Sequence, residues 1–384
     1  MASDIVDEDW NDDLASEVTA KGVDSLVVYS RDWTVETILR QVEQGNIDLN
    51  PQFQRRNAWT DAKRSKLIES LIIGVPVPEI VLAEDVTRKK SFIVIDGKQR
   101  LLALAGFADH WLYGSWERPY LKGLQARSDL NDLNVEQLRK SDDDYRQLMN
   151  ADIRCTVISN YQSSDVLYDI FYRLNTGSVP LSSQELRQVL KRGKFSDFLI
   201  SSTNEWLPLH EVLRLKGPDK RLRDAEIVLR YMAVSMYGEQ YRGSLTPFLD
   251  DAAEYINASW EYLEPEVREL FNAMNDATSA LLDKFGKKRV GRKVTEAGWE
   301  SRFNRALFEV QVYYFARISR ADLSGVSSQT VQEEFARFCS SSRKFRDAIE
   351  ATTKNPRKYR ARYELFQDFV NELFGTSIDS VPVP

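Results

Sequence analysis

The sequence predicts an α+β protein: a small mixed α/β domain followed by an all-helical domain. Three observations carry this reading. Short apolar runs of strand composition alternate with helical patterns over the first part of the chain. From Leu181 onward nearly every segment has helical periodicity. No apolar run approaches the roughly 20 residues of a membrane-spanning helix. The chain therefore divides into an acidic, disordered leader over 1–22, a mixed domain over 23–179 and a helical domain over 180–384, with the boundary near Val179-Pro180.

Ser25–Tyr29 has strand composition, and Thr34–Gln44 reads as a helix. Thr34 suits the N-cap, although Thr37 stands where a capping box has an acid or amide. Gly45-Asn46 stops that helix, and Ile47–Phe53 is extended around Pro51. Thr60 or Asp61 caps a helix over Lys63–Ile73, whose apolar face is Leu67, Ile68, Leu71 and Ile72. Pro76-Val77-Pro78 forces an extended approach to a strand at Ile80–Ala83. A charged turn then leads to a strand at Phe92–Ile95. Residues 108–150, with Trp111, Trp116 and Tyr120, read as an insertion containing helices. Ile153–Ile158 is a further strand, and Val166–Leu174 a helix capped by Ser164 or Asp165. The helical domain is expected to include Ser183–Leu190, Asp224–Tyr237, Glu266–Phe285, Arg302–Ser319 and Arg360–Phe374.

Composition narrows the chemistry. The cysteines are Cys155 and Cys339, without CxxC spacing, which points to a reducing cytosol and against a thiolate zinc site. His110 and His210 are the two histidines, too few for a multi-histidine metal site or a His-Asn-His nuclease. The first residues have no signal-peptide pattern, so a cytoplasmic location is expected. Residues 1–20 hold seven acids and no base; without them the net charge of -6 becomes +1. Overall acidity is thus poor grounds for excluding nucleic acid. The leader reads as a solvated tail or, alternatively, as a DNA-mimicking arm over a basic face.

Asp96-Gly97-Lys98-Gln99-Arg100 joins a strand to a helix. It puts two cations in a first turn that already carries unpaired amides and the positive end of the helix dipole. A phosphate would satisfy these groups together. Gly97 allows close backbone approach, Arg100 offers a planar fork, and Asp96 can hold a metal ion or orient a water. The competing reading is a tight turn with Arg100 paired to a structural carboxylate. The turn is not a Walker A loop, since GxxxxGK[ST] is absent. Asn50–Trp59 sets Gln54 and Arg55 among aromatic residues, suited to base, sugar or phosphate contact, with Phe53 and Trp59 read as core anchors. In Phe171–Gly177, Gly177 reads as a helix C-cap, and Asn175 as a cap or a ligand contact. Two basic runs, Lys284–Lys293 and Lys354–Arg362, are either solvated faces or DNA-phosphate contacts through Lys287, Lys288, Arg289, Arg292 and Lys293.

The order of these segments is more specific than any one of them. Pro51-x-Phe53-Gln54-Arg55-x-x-x-Trp59 is followed by Leu67-Ile68-Glu69-Ser70-Leu71-Ile72-x-Gly74-x-Pro76-x-Pro78, and that by Ile95-Asp96-Gly97-Lys98-Gln99-Arg100-Leu101. Next come Phe171-x-x-Leu174-Asn175-Thr176-Gly177-x-x-Pro180-Leu181-Ser182-x-x-Glu185-Leu186-Arg187 and Arg223-Asp224-x-Glu226-x-x-Leu229-Arg230. Over roughly residues 25–235 the chain resembles the N-terminal domain of GmrSD-type restriction endonucleases. The resemblance implies a ParB/sulfiredoxin-like fold with a helical extension, and nucleotide binding, often with hydrolysis, by an Asp-Gly-x-Gln-Arg loop. Asp96, Gly97, Gln99 and Arg100 match that loop, Lys98 fills its variable position, and Gln54 and Arg55 match an element facing the same pocket. The fused proteins of the family also carry a C-terminal nuclease domain with a catalytic histidine. Here His210, in Leu207-Pro208-Leu209-His210-Glu211, lacks that motif and reads as structural.

The expectation is a nucleotide-binding protein, an NTPase, acting as sensor or regulator in a DNA restriction or anti-phage defence system. Asp96, Gln99 and Arg100 are the expected catalytic groups, with Asp96 also the metal ligand. Gln54, Arg55, Gly97, Lys98 and Asn175 are expected to bind a nucleoside triphosphate with Mg²⁺ or Mn²⁺. Expected partners are DNA, a nuclease subunit and a second copy of the chain, with no membrane. The alternatives are a metal-dependent nuclease built on Asp96 and other carboxylates, and a non-catalytic DNA- or partner-binding adaptor.

Overall fold

A computed structural model describes residues 25–49, 59–86, 88–109, 116–161, 166–167, 170, 182–350 and 356–383. The acidic leader, Gln54, Arg55, Asn175 and nearly all of the expected Val166–Leu174 helix lie outside these residues. The chain forms two units, divided between Leu181 and Ser182.

The first unit is built on a mixed sheet. Its strands are β1 (Val27–Thr34), β2 (Ile80–Glu84), β3 (Phe92–Asp96) and β4 (Asp152–Ser159), in the spatial order β1-β4-β2-β3. β4 runs antiparallel to β1 and parallel to β2, and β2 is antiparallel to β3. Helix α1 (Val35–Glu43) follows β1 directly, and α2 (Asp61–Ile72) precedes the Pro76–Glu79 approach to β2. Thr34 accepts the Thr37 amide at 3.2 Å, and the two hydroxyls also meet at 2.9 Å, completing a start that lacks the usual acid. Thr60, not Asp61, caps α2. Helix α3 (Lys98–Ala108) is buried from Arg100 to Phe107, so both of its faces are apolar or small. Val35, Ile38, Ile68, Leu82, Val94, Leu101, Leu104 and Val157 share its core.

β1 is longer than the sequence suggests. Its outer residues Arg31 and Asp32 break the apolar pattern, but the strand continues because Asp32 pairs across to Arg154 at 3.1 Å. The insertion carries α4 (Val135–Leu138) and α5 (Asp142–Asn150). Trp116, Leu121, Leu124 and Leu130 are buried beneath its irregular chain. Arg127 pins that chain to Asp129 at 2.6 Å, to Asp144 at 2.8 Å and, through its amide, to Glu69 of α2 at 2.9 Å. The Arg127 guanidinium holds the Asp144 carboxyl below its usual range. A carboxylate depressed on folding stabilises the fold above its unfolded pKa of about 4, and that contribution disappears as pH falls through the folded value. Asp144→Asn is therefore expected to lose less stability than wild type on acidification below about pH 4, measured by urea unfolding. Equal acid sensitivity would contradict this.

The second unit is helical, with one short ribbon. It comprises α6 (Ser183–Leu190), α7 (Lys194–Thr203), α8 (Pro208–Val212), α9 (Arg223–Tyr237), α10 (Leu245–Ala258), α11 (Trp260–Phe285), β5 (Val294–Thr295), β6 (Gly298–Trp299), α12 (Arg305–Phe315), α13 (Arg320–Gly325), α14 (Ser328–Ser341), α15 (Arg343–Glu350) and α16 (Pro356–Phe374). Ser182 and Glu185 form a capping box at the start of α6. Helices α9 and α12 are apolar on most faces and lie in the core, α9 against α10 and α12 against α11 and α16. Among the described residues no helix is long and apolar enough to cross a membrane. Cys155 and Cys339 are buried, and burial pushes their thiols up to about 12 and about 11, far from a reactive thiolate.

Candidate functional site: the β3–α3 turn

β3 ends in a bulge. Leu82 of β2 pairs with Val94, but Val81 pairs with Asp96, so β3 carries one extra residue just before the turn. A bulge re-aims the side chain beside it and ends the pairing. Gly97 then takes a left-handed conformation, φ 94°, as the N-cap of α3. A Cβ there would stand 3.0 Å from Ile80 Cγ1 and 3.2 Å from Arg100 Nη2, in a backbone conformation that side chains disfavour. Only glycine fits this position without strain.

The first turn of α3 has no side-chain cap and no acid. Lys98 and Arg100 stand at this positive end of the helix dipole, and the Asp96 carboxylate, just before the turn, pairs with Arg100. Arg100, 8 % exposed, donates from Nη2 to Asp96 Oδ2 at 2.6 Å and to the Glu79 carbonyl at 2.8 Å. One guanidinium nitrogen thereby ties the end of β3 and the start of α3 to the Pro76–Glu79 approach. The Asp96 side chain remains 30 % exposed. Gln99 Oε1 and Arg100 Nε are buried without a hydrogen-bond partner. A buried unpaired polar atom costs about 1–3 kcal/mol, and these two leave an acceptor and a donor open beside the turn, although Arg292 and Arg362 in the helical core carry an orphaned Nε as well.

The structure therefore brings Asp96, Gly97, Lys98, Gln99 and Arg100 together, as their sequence adjacency requires, and adds Ile80 and the Glu79 carbonyl. The sequence alone does not single out Glu79, although Pro76-x-Pro78 marks the segment that carries it. Gln54, Arg55 and Asn175 lie outside the described residues. Among the described residues no three His, Cys, Asp or Glu side chains converge on a metal position. Mg²⁺ needs only one or two carboxylates when phosphates supply the other oxygens, and Asp96 meets that requirement. A magnesium-bound triphosphate fits this residue set in kind: amides and cations for phosphate, one carboxylate for the ion, and an orphan amide oxygen and guanidinium nitrogen.

The basic run at 284–293 is not one continuous face. Arg292 is buried: its guanidinium donates to the carbonyls of Val212 and Val290 and lies over the Phe303 ring. Burial and the neighbouring Arg214 push it down to about 10. Arg292 is therefore structural and not a DNA contact. Lys293 is already neutralised by Glu300 and Glu350. Arg289 donates to Gln332 and covers the Trp299 ring. Lys287 and Lys288 remain exposed. In the second basic run, Arg362 and Tyr359 are core residues, and Arg362 pairs with Glu309. His210 is buried, accepting the Leu207 amide on Nδ1 at 3.0 Å, so that Nε2–H donates to Asp224 at 2.9 Å. Its role is to hold α8 against α9.

Comparison with protein families matches residues 35–190 to the GmrSD restriction endonuclease, N-terminal domain. The match contains the β3–α3 turn and excludes the basic run at 284–293. No curated protein and no solved structure matches the chain.

Proposed function

We propose, from the match of residues 35–190 to the GmrSD restriction endonuclease N-terminal domain, that the chain is a nucleotide-binding regulator of a DNA restriction system. The observation that carries the proposal is the uncapped, acid-free start of α3, with Gly97 at its N-cap and two orphaned buried polar atoms beside it. Lys98, Arg100 and the first-turn amides hold phosphate oxygens. Gln99 orients a phosphate oxygen or an attacking water. Asp96, paired with Arg100 in this structure, would hold a magnesium ion, and Arg100 would then offer its fork to phosphate. The ion supplies charge neutralisation on the phosphates, which is most of what phosphoryl transfer asks of a protein site. Gln54, Arg55 and Asn175 are proposed nucleotide contacts on their sequence motifs alone. DNA cleavage is assigned to a partner: among the described residues no carboxylate set accompanies Asp96, and His210 is committed to Asp224.

The test is phosphate release from a panel of ribo- and deoxyribonucleoside triphosphates by the full chain. We expect release from at least one of them, dependent on Mg²⁺ or Mn²⁺ and lost on chelation. Absence of both release and binding across the panel would overturn the proposal. Cleavage of plain or modified DNA by the chain alone would favour the nuclease reading.

A further inference from the structure

Away from that turn, the helical unit has a cleft of about 620 Å³ lined by Trp206, Glu211, Arg214, Leu215, Lys287 and Lys288. This volume falls in the range of small-ligand sites, roughly 300–1,000 Å³. One wall is the end of α8. There Arg214 donates its amide to the Glu211 carbonyl at 3.0 Å, and Leu215 donates to the His210 carbonyl at 2.8 Å. This is a Schellman closure, whose left-handed position usually holds glycine. Here it holds arginine, at φ 56°. A side chain in that conformation is disfavoured, and here it brings a guanidinium to the cleft. The other wall is the turn after α11, which presents Lys287 and Lys288. Arg292 binds the walls together, donating from both terminal nitrogens to the Val212 carbonyl at 3.1 Å.

Arg214, Lys287 and Lys288 form no ion pair among the described residues, against a single lining carboxylate, Glu211. Trp206 is 57 % exposed, an unusual place for an indole. Its ring rests 5.4 Å from that of the buried, doubly hydrogen-bonded His210, which fixes its base. An exposed, anchored indole beside three unneutralised cations combines a stacking platform with a phosphate clamp.

We propose that this cleft binds a single unpaired nucleotide, its base on Trp206 and its phosphate between Arg214, Lys287 and Lys288. Glu211 accepts a hydrogen bond from an exocyclic amine, which favours cytosine or adenine over thymine. The same chemistry is offered by a nucleotide within single-stranded DNA and by a free nucleotide. The site is separate from the β3–α3 turn and stands whether or not that turn binds a triphosphate.

The test is fluorescence anisotropy of a labelled, cytosine-rich single-stranded oligonucleotide with the full chain, with unlabelled dCMP and duplex DNA as competitors. Trp206→Ala should weaken binding about ten-fold or more while circular dichroism is unchanged, because the ring is largely outside the core. Lys287→Ala/Lys288→Ala should lower the slope of log affinity against log salt by about 0.7, the contribution of the one phosphate that the variant no longer neutralises. Competition by dCMP at concentrations comparable to the oligonucleotide identifies the free nucleotide as ligand. Competition by the strand alone identifies DNA. Binding that is unaltered in Trp206→Ala, preference for duplex DNA, or no binding of strand or dCMP overturns the proposal.

Discussion

Glu309→Ala is expected to destabilise the helical unit by about 3–5 kcal/mol, the cost of removing one partner from a buried ion network. Glu309 is buried on α12 and accepts Arg230 of α9 at 2.8 Å and Arg362 of α16 at 2.6 Å. It therefore links three helices through two guanidinium groups. Arg230 keeps a second partner, Glu226, at 2.7 Å. Arg362, 1 % exposed, is left among the described residues with the Tyr359 ring, 4.1 Å from its guanidinium carbon, and that of Tyr363. A cation left among buried rings recovers about 2 kcal/mol at best. Glu309→Gln keeps the shape and one acceptor, so it should cost less than Glu309→Ala. Urea unfolding of both variants measures the difference, and a loss under about 1 kcal/mol for Glu309→Ala would show the network to be dispensable.

Arg100→Ala is expected to abolish nucleotide binding, a loss of about 100-fold or more for a charge-assisted fork at phosphate. The same change removes the tie from Asp96 to the Glu79 carbonyl, so part of the effect is a loosened turn. Arg100→Lys separates the two roles. It keeps a cation near Asp96 but has no planar fork, and should retain most of the stability while losing most of the affinity. Equal affinities in Arg100→Lys and wild type would make Arg100 a purely structural residue.

The sheet was legible where composition and punctuation agreed. Pro76-x-Pro78 and Gly97 bracket β2 and β3, and both strands are buried, as their continuous apolar runs require. β1 reads short in the sequence because the pairing of Asp32 with Arg154 is a long-range fact. The insertion reads as helical, and α4 and α5 lie in it, but its irregular chain is illegible because Arg127 and Trp116, not periodicity, hold it. At the site the residues were legible and the bulge was not, since a bulge is a mismatch between two strands. The basic run misled for a related reason. Lys284, Arg292 and Lys293 have the charge of a DNA-facing surface, but Lys284 donates to the Val326 carbonyl, Arg292 is buried and Lys293 is paired. Trp206 and Arg214 carried no motif, and only the fold places them beside Lys287 and Lys288.

The central claim is that the Asp96–Arg100 turn holds the phosphates of a nucleotide. Calorimetric titration of magnesium-bound nucleoside triphosphates into wild type, Lys98→Ala and Trp206→Ala addresses it most directly. The account predicts saturable, magnesium-dependent binding to wild type, about ten-fold weaker binding to Lys98→Ala, and a magnesium-dependent site of wild-type affinity retained in Trp206→Ala, whose substitution lies in the separate cleft. No binding to wild type, or binding that fails with Trp206→Ala but survives Lys98→Ala, would contradict it.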